Sequence, residues 1–131
     1  MTGSFRSFDK QTQEILGKRI HETLKESEMR GFKFDIKTGG YPAIENSKYG
    51  CDKIISAAEQ VIDAAGINTG CEPMAASEDF SYFTQDVEGA FFFLGSGNSE
   101  KGLNTPLHSN PFKADEDCIS IGAAIFASIV M

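Results

Sequence analysis

The stretch GAFFFLGSGN, residues 89–98, is apolar on both faces of an extended chain. Successive side chains of a strand point to opposite faces of its sheet, so the rings of Phe91, Phe92 and Phe93 would lie on both sides. Strands of this kind occupy the middle of sheets that are covered on both faces, as in α/β proteins. The stretch therefore predicts a central strand and an α/β fold.

Helices and further strands are predicted on both sides of this stretch. Apolar residues recur at helical spacing in two long segments, and acidic or hydroxyl residues cap two further helices, the last of which is apolar nearly all round. Helices are predicted at about 10–27, about 47–65, after Ser77 and after Asp115. Short strands are predicted at 3–8 and at 32–37, where aromatic and charged residues alternate. The first forty residues therefore predict a strand–helix–strand unit.

The clearest joint in the chain is TGGYPAIEN, residues 38–46. Two glycines and a proline interrupt any regular element there, and the composition changes beyond them. The joint predicts a boundary between a first piece, residues 1–38, and a second piece, residues 39–131.

Composition narrows the class of partner. The 131 residues carry a net charge of −7, which argues against nucleic-acid binding because phosphate backbones are repelled. The three cysteines form no CxxC motif and predict neither a disulfide framework nor a thiolate zinc site. Reduced cysteines are expected in a cytoplasmic protein. The last apolar segment is too short to cross a bilayer, so we expect no membrane association.

One histidine stands in a position that suits chemistry. His108 lies in NTPLHSNPF, residues 104–112, between Pro106 and Pro111 and shortly after the predicted central strand. Loops that follow such strands often line the ligand crevice, where an imidazole serves as a metal ligand or a general base. The alternative is a structural surface histidine, because a single histidine defines no metal site.

Two other stretches offer weaker signals. ASEDFSYF, residues 76–83, contains the adjacent carboxylates Glu78 and Asp79, which suit acid–base chemistry or simply complement the dipole of a helix's first turn. GSGN, residues 95–98, lacks the spacing of phosphate-binding loops and is equally consistent with a turn that ends a strand. His21 falls among charged positions of the first helix and is predicted to be solvated.

The order of the motifs resembles one family along essentially the whole chain. GSFRSFD, GGYPAIEN, PMAASEDFSYF, GAFFFLGSGN and PLHSNPFKADED, followed by an apolar terminal helix, resemble the co-catalytic metal aminoacylases and carboxypeptidases. The branch most similar to them contains hippurate hydrolases and N-acyl-amino-acid amidohydrolases. These enzymes have a two-metal catalytic α/β domain into which a smaller lid or dimerisation domain is inserted. The resemblance implies that residues 1–38 are the second half of the lid and residues 39–131 the end of the catalytic domain.

The resemblance also implies roles for individual residues. His108 corresponds to a metal ligand, and Glu78 lies beside the substrate pocket. No catalytic residue is implied within the chain. The implied reaction is hydrolysis of N-acyl or N-aroyl amino acids, or of small peptides. The expected cofactor is a divalent metal, with zinc as the default and manganese, cobalt or nickel compatible.

Much of the family's machinery has no counterpart in this sequence. The family's mechanism uses further histidine and carboxylate ligands and a Glu-Glu pair that supplies the general base, whereas this chain has two histidines and no Glu-Glu. We therefore expect a C-terminal fragment that is inactive and binds metal weakly by itself. Its expected partner is a further copy of the chain or a missing N-terminal half. The alternative is a non-enzymatic α/β module for association or small-ligand binding.

Overall fold

The computed structural model describes residues 3–28, 30–37 and 39–130. Helix α1 spans Lys10–Glu28, α2 spans Lys48–Glu59 and α3 spans Asp117–Val130. Two short 3₁₀ helices lie at Ala64–Gly66 and Asp79–Gln85. All four predicted helices are confirmed in place. The second is shorter than predicted, because the α-helix ends at Glu59 and a separate 3₁₀ turn follows.

The predicted strands are not borne out. Within the described ranges the structure is helical, with no strand, and the strand–helix–strand lid piece is not formed. The sole isolated bridge found in those ranges joins Asn98 to Leu103. Alternating sequence can favour an extended backbone, but a strand exists only when a neighbouring backbone supplies its ladder of hydrogen bonds. Phe32 accordingly remains 60% exposed instead of covering a sheet.

The chain divides into two compact units. The first comprises Met1–Ser47 and Cys71–Gly89, and the second comprises Lys48–Gly70 and Ala90–Met131. The first unit contains the proposed lid piece together with the SEDFSYF segment. The second contains α2, α3, the Phe-rich segment and the His108 loop. The predicted boundary near residue 38 stays a prediction.

In the first unit, hydrogen bonds hold the glycine–proline joint. Tyr82 donates its hydroxyl to the Gly40 carbonyl over 2.9 Å, and the Gln13 side chain donates to the Tyr41 carbonyl over 3.2 Å. The rings of Tyr41 and Tyr82 meet edge to face with centroids 5.7 Å apart, a favourable aromatic geometry. At the start of α1, Asp9 accepts hydrogen bonds from the backbone N–H and hydroxyl of Thr12, which confirms it as the N-cap.

In the second unit, α2 and α3 pack together around a small core. Ala57 and Ala58 on α2 and Ile125 on α3 are at most 6% exposed. A Cβ atom built on the buried Gly122 would lie 2.9 Å from the Leu94 side chain, so the glycine lets the Phe-rich segment approach α3 closely. Phe92 packs against this core.

The opposite faces of these elements are not covered. Phe93 is 64% exposed, so the Phe-rich segment is covered on one side instead of the two that its sequence predicts. The apolar sequence of α3 predicts a buried helix, yet Ile119, Phe126 and Val130 are 68%, 61% and 84% exposed. A helix that is apolar on all sides is usually buried. None of the helices within the described ranges is long and apolar enough to cross a membrane.

Candidate functional site

The loop that carries His108 is closed at its base by one threonine. The Thr105 hydroxyl donates to the Lys113 carbonyl over 2.9 Å and accepts from the Lys113 backbone N–H over 2.7 Å. A hydroxyl can do both because it has one donor hydrogen and two lone pairs. These two bonds bring residues 105 and 113 together, so residues 106–112 form a short loop with a closed base.

A second set of hydrogen bonds, centred on Asp115, holds the segments before and after the His108 loop. The Asp115 carboxylate accepts from the Asn98 amide over 2.6 Å and from the Lys101 ammonium over 2.9 Å. Its backbone N–H donates to the Ser96 carbonyl over 2.7 Å, and its carboxylate also receives the Asp117 N–H at the start of α3. Asp115 therefore ties the end of the Phe-rich segment to α3, and its predicted capping role is confirmed.

The charges in this set reinforce one another. The hydrogen bond from Lys101, followed by that from Asn98, lowers the pKa of Asp115 below its ordinary value. Lys101 also donates to Asp117 over 2.6 Å, and its two carboxylate partners, Asp117 first, raise its pKa above the ordinary range. Both groups are thus held in their charged forms. Their hydrogen bonds hold the turn between Asn98 and Leu103, which precedes the His108 loop, against the start of α3.

His108 stands at the exposed tip of the loop in an unusual backbone conformation. The Ser109 N–H donates to the Pro106 carbonyl over 3.1 Å, which closes a four-residue turn with His108 in its third position. The φ angle of His108 is +67°, in the left-handed region. A positive φ at this position characterises type II turns, which favour glycine or asparagine there. Histidine is therefore an uncommon residue at this position of the turn.

The residues that the structure describes do not fit a metal ion by themselves. Within residues 3–28, 30–37 and 39–130, no three His, Cys, Asp or Glu side chains come together closely enough to hold one. Zinc and similar ions need three or four protein ligands for stable binding. His108 therefore offers one imidazole, and no complete metal site exists in the described part of the chain.

Glu78 caps the 3₁₀ helix Asp79–Gln85. Its carboxylate accepts from the Phe80 backbone N–H over 3.4 Å, so the cap is Glu78. The sequence predicts Ser77 instead, and that prediction is wrong by one residue. The helix is fixed further by Ser81, which is fully buried and donates its hydroxyl to the Glu78 carbonyl over 2.6 Å. Glu78 belongs to the first unit, whereas His108 belongs to the second.

The remaining candidates have structural surroundings. His21 is half-buried, and its Nδ1 donates to the Gly17 carbonyl over 2.8 Å, so it is less solvated than predicted. The GSGN segment leads into a turn in which Asn98 and Leu103 exchange backbone hydrogen bonds of 2.9 and 2.8 Å. The turn itself covers residues 99–102, directly after GSGN, and no strand precedes it within the described ranges, so the prediction that GSGN is a turn ending a strand is not borne out.

Sequence reasoning missed Thr105, Asn98 and Lys101. A single threonine or lysine in a long polar loop carries no motif, and its partner becomes apparent only when the loop closes. The one available signal was the capping position of Asp115, because a carboxylate that caps a helix has further lone pairs with which to accept hydrogen bonds.

The chain matches one family over nearly its whole length. A family model described as Peptidase family M20/M25/M40 matches residues 8–131. No solved structure matches the chain significantly.

Several characterised or named relatives match as well. Thermostable carboxypeptidase 1 of Saccharolobus solfataricus is 36% identical over 94 residues, which are 70% of this chain and 22% of the relative. IAA-amino acid hydrolase ILR1-like 6 of Arabidopsis thaliana is 30% identical over 136 residues, 97% of this chain and 28% of the relative. N-acetyldiaminopimelate deacetylase of Lactococcus lactis is 30% identical over 120 residues, 89% of this chain and 30% of the relative. The chain thus spans less than a third of the length of these three relatives.

Proposed function

Because the chain belongs to peptidase family M20/M25/M40, we propose that it forms part of a metal-dependent amidohydrolase that cleaves N-acyl or N-aroyl amino acids or small peptides. Relatives named as an IAA-amino acid hydrolase, an N-acetyldiaminopimelate deacetylase and a carboxypeptidase support this proposal, because their names describe hydrolysis of an amino-acid conjugate, removal of an acetyl group and peptidase activity. In this proposal His108 supplies one metal ligand.

The observation that carries the proposal is the left-handed backbone of His108. A residue other than glycine held at a φ of +67° costs free energy and persists only when its surroundings enforce it. Such strain concentrates at functional sites, and here it falls on the residue that the family resemblance marks as a ligand.

The other ligands come, in this proposal, from residues outside this chain. One exposed imidazole does not bind zinc tightly, so the isolated chain is expected to be inactive and to hold metal weakly. Zinc is the first choice for histidine and carboxylate ligands, and manganese, cobalt and nickel are compatible with the same donors. When bound, such an ion polarises the amide carbonyl and activates water.

Glu78 is the chain's candidate for a substrate contact. Its carboxylate caps the 3₁₀ helix through Phe80, which orients the side chain before any substrate arrives. A carboxylate held in this way can accept a hydrogen bond from the amide or ammonium group of an amino-acid conjugate.

The exposed apolar face of α3 suggests a surface on which a partner could bind. Ile119, Phe126 and Val130 are 61–84% exposed and carry no charge, so burying them against another surface would be favourable. We propose that a further copy of the chain, or the N-terminal part of the hydrolase, covers this face. Light scattering of the isolated chain tests the first possibility, since self-association gives multiples of 14.2 kDa.

A chimera tests the proposed function. Residues 8–131 replace the matching segment of the Lactococcus lactis deacetylase, and release of free amine from an N-acetylated amino acid is measured together with the metal content. We expect hydrolysis in the chimera and a loss of roughly a hundredfold or more with His108→Ala. His21→Ala is the matched control, because it removes the chain's other histidine and should leave the rate unchanged. An active His108→Ala chimera with full metal content would refute the role of His108.

A further inference from the structure

We propose that Thr105 is a positioning residue for His108, an inference that rests on the proposed function. Its hydroxyl does not touch the imidazole. It closes the base of the loop and thereby holds the turn in which His108 takes its left-handed conformation. The loop's ability to present the imidazole to a metal therefore depends on an oxygen three residues away in sequence.

The hydrogen-bond pattern supports this role. Thr105 is half-buried and is paired with both backbone groups of Lys113, at 2.9 and 2.7 Å. The threonine hydroxyl can donate to a carbonyl and accept from an N–H at once. Valine has the same shape as threonine and can make neither bond.

The turn needs this support because it is unfavourable on its own. One backbone hydrogen bond, from Ser109 to Pro106, closes the turn, while the left-handed φ of His108 opposes it. When the base opens, residues 106–112 can exchange this turn for conformations in which His108 has a negative φ. Closing the base removes most of these alternatives, because the ends of the loop are then fixed.

The neighbouring polar network does not replace Thr105. Asn98, Lys101 and Asp115 fix the hairpin and the start of α3, which lie outside the loop base. Asn104 donates to Ser99 over 3.0 Å and so belongs to the same outer layer. Thr105 is the residue between this layer and the tip whose side chain bonds across the loop.

The test compares Thr105→Val with Thr105→Ser in the 131-residue chain by NMR. Thr105→Val keeps the side-chain shape and removes both hydrogen bonds, whereas Thr105→Ser keeps the hydroxyl. One readout is the hydrogen exchange of the Lys113 amide, which should accelerate roughly fivefold or more in the valine variant. The second is the one-bond Cα–Hα coupling of His108, which distinguishes positive from negative φ and should move towards the negative-φ value. Serine should restore both readouts.

The outcomes are decisive in each direction. Unchanged exchange and coupling in Thr105→Val would overturn the inference, and so would a serine variant that behaves like valine, because the methyl group would then matter instead of the hydroxyl. Loss of the α2 and α3 signals in Thr105→Val would also overturn it by giving the hydroxyl a role in the whole fold. Neither readout needs metal or activity, so failure here leaves the chimera experiment on His108 unaffected.

Discussion

Replacing His108 by glycine should make the chain more stable while it removes the proposed metal ligand. His108 is exposed at the tip of its loop and has a φ of +67°, so the imidazole contributes little packing and the backbone is strained. Glycine accepts this conformation without a Cβ clash. Alanine does not, and His108→Ala should therefore remove the imidazole without relieving the strain.

The expected magnitude follows from two opposing effects. Relief of the left-handed conformation is worth about 1–2 kcal/mol for a residue with a Cβ. The greater freedom of glycine in the unfolded chain offsets about 0.4–1 kcal/mol of this. His108→Gly should thus exceed His108→Ala in free energy of unfolding by roughly 0.5–1 kcal/mol, or about 2–4 °C in Tm for a chain of this size.

Thermal and urea unfolding of the three proteins, followed by circular dichroism, measure this difference. The original chain and His108→Ala should have nearly equal midpoints, and His108→Gly should lie above both. Equal midpoints for glycine and alanine would show that the backbone at 108 is unstrained and would remove the observation on which the proposed function rests. In the chimera, both substitutions should abolish hydrolysis, since both delete the imidazole.

Three further outcomes are expected. The hydrogen bond from Lys101 is the main cause of the lowered pKa of Asp115. The carboxylate therefore contributes to stability above its ordinary pKa, and this contribution fades as the pH falls through the lower folded pKa. Asp115→Asn should flatten the dependence of unfolding free energy on pH below about 4. Ile125→Ala, at a side chain only 2% exposed, should cost about 2–5 kcal/mol in urea unfolding, whereas the 68% exposed Ile119→Ala should cost little. Glu78→Gln retains a capping oxygen, so the chimera should fold normally but show a raised KM with kcat nearly unchanged.

The helices could be predicted because their signals are local. Asp9 and Asp115 are caps whose partners lie two or three residues away, and the apolar spacing of α1 to α3 is set within each segment. The position of the 3₁₀ cap was missed by one residue, Glu78 for Ser77, because both residue types cap helices and sequence alone does not rank them. The limits of prediction therefore lie in the choice between neighbouring residues and not in the existence of the helices.

The strands could not be predicted in the same way, because their stability is not local. Phe32 and Phe34 alternate with charged residues, a pattern that fits one strand of a sheet. A strand forms only when a second backbone pairs with it through hydrogen bonds, and the pattern does not say where that backbone would come from. The three phenylalanines at 91–93 predict cover on both sides of the segment. The structure covers Phe92 and leaves Phe93 exposed, so composition indicated how much apolar surface the segment carries without identifying what buries it.

The role of His108 stays a prediction, but the sequence could name the residue and not its surroundings. His108 could be found because a lone imidazole between two prolines is visible in the sequence and matches a family motif. Its left-handed backbone and the hydrogen bonds of Thr105 to Lys113 could not be predicted, since each is a property of the closed loop. A positive φ is uncommon for residues other than glycine, so the sequence alone offers no reason to expect this conformation at position 108. In our two proposals the role of position 108 would be encoded twice, once in the residue that supplies the imidazole and once in the pairing of Thr105 with Lys113 that would fix its direction.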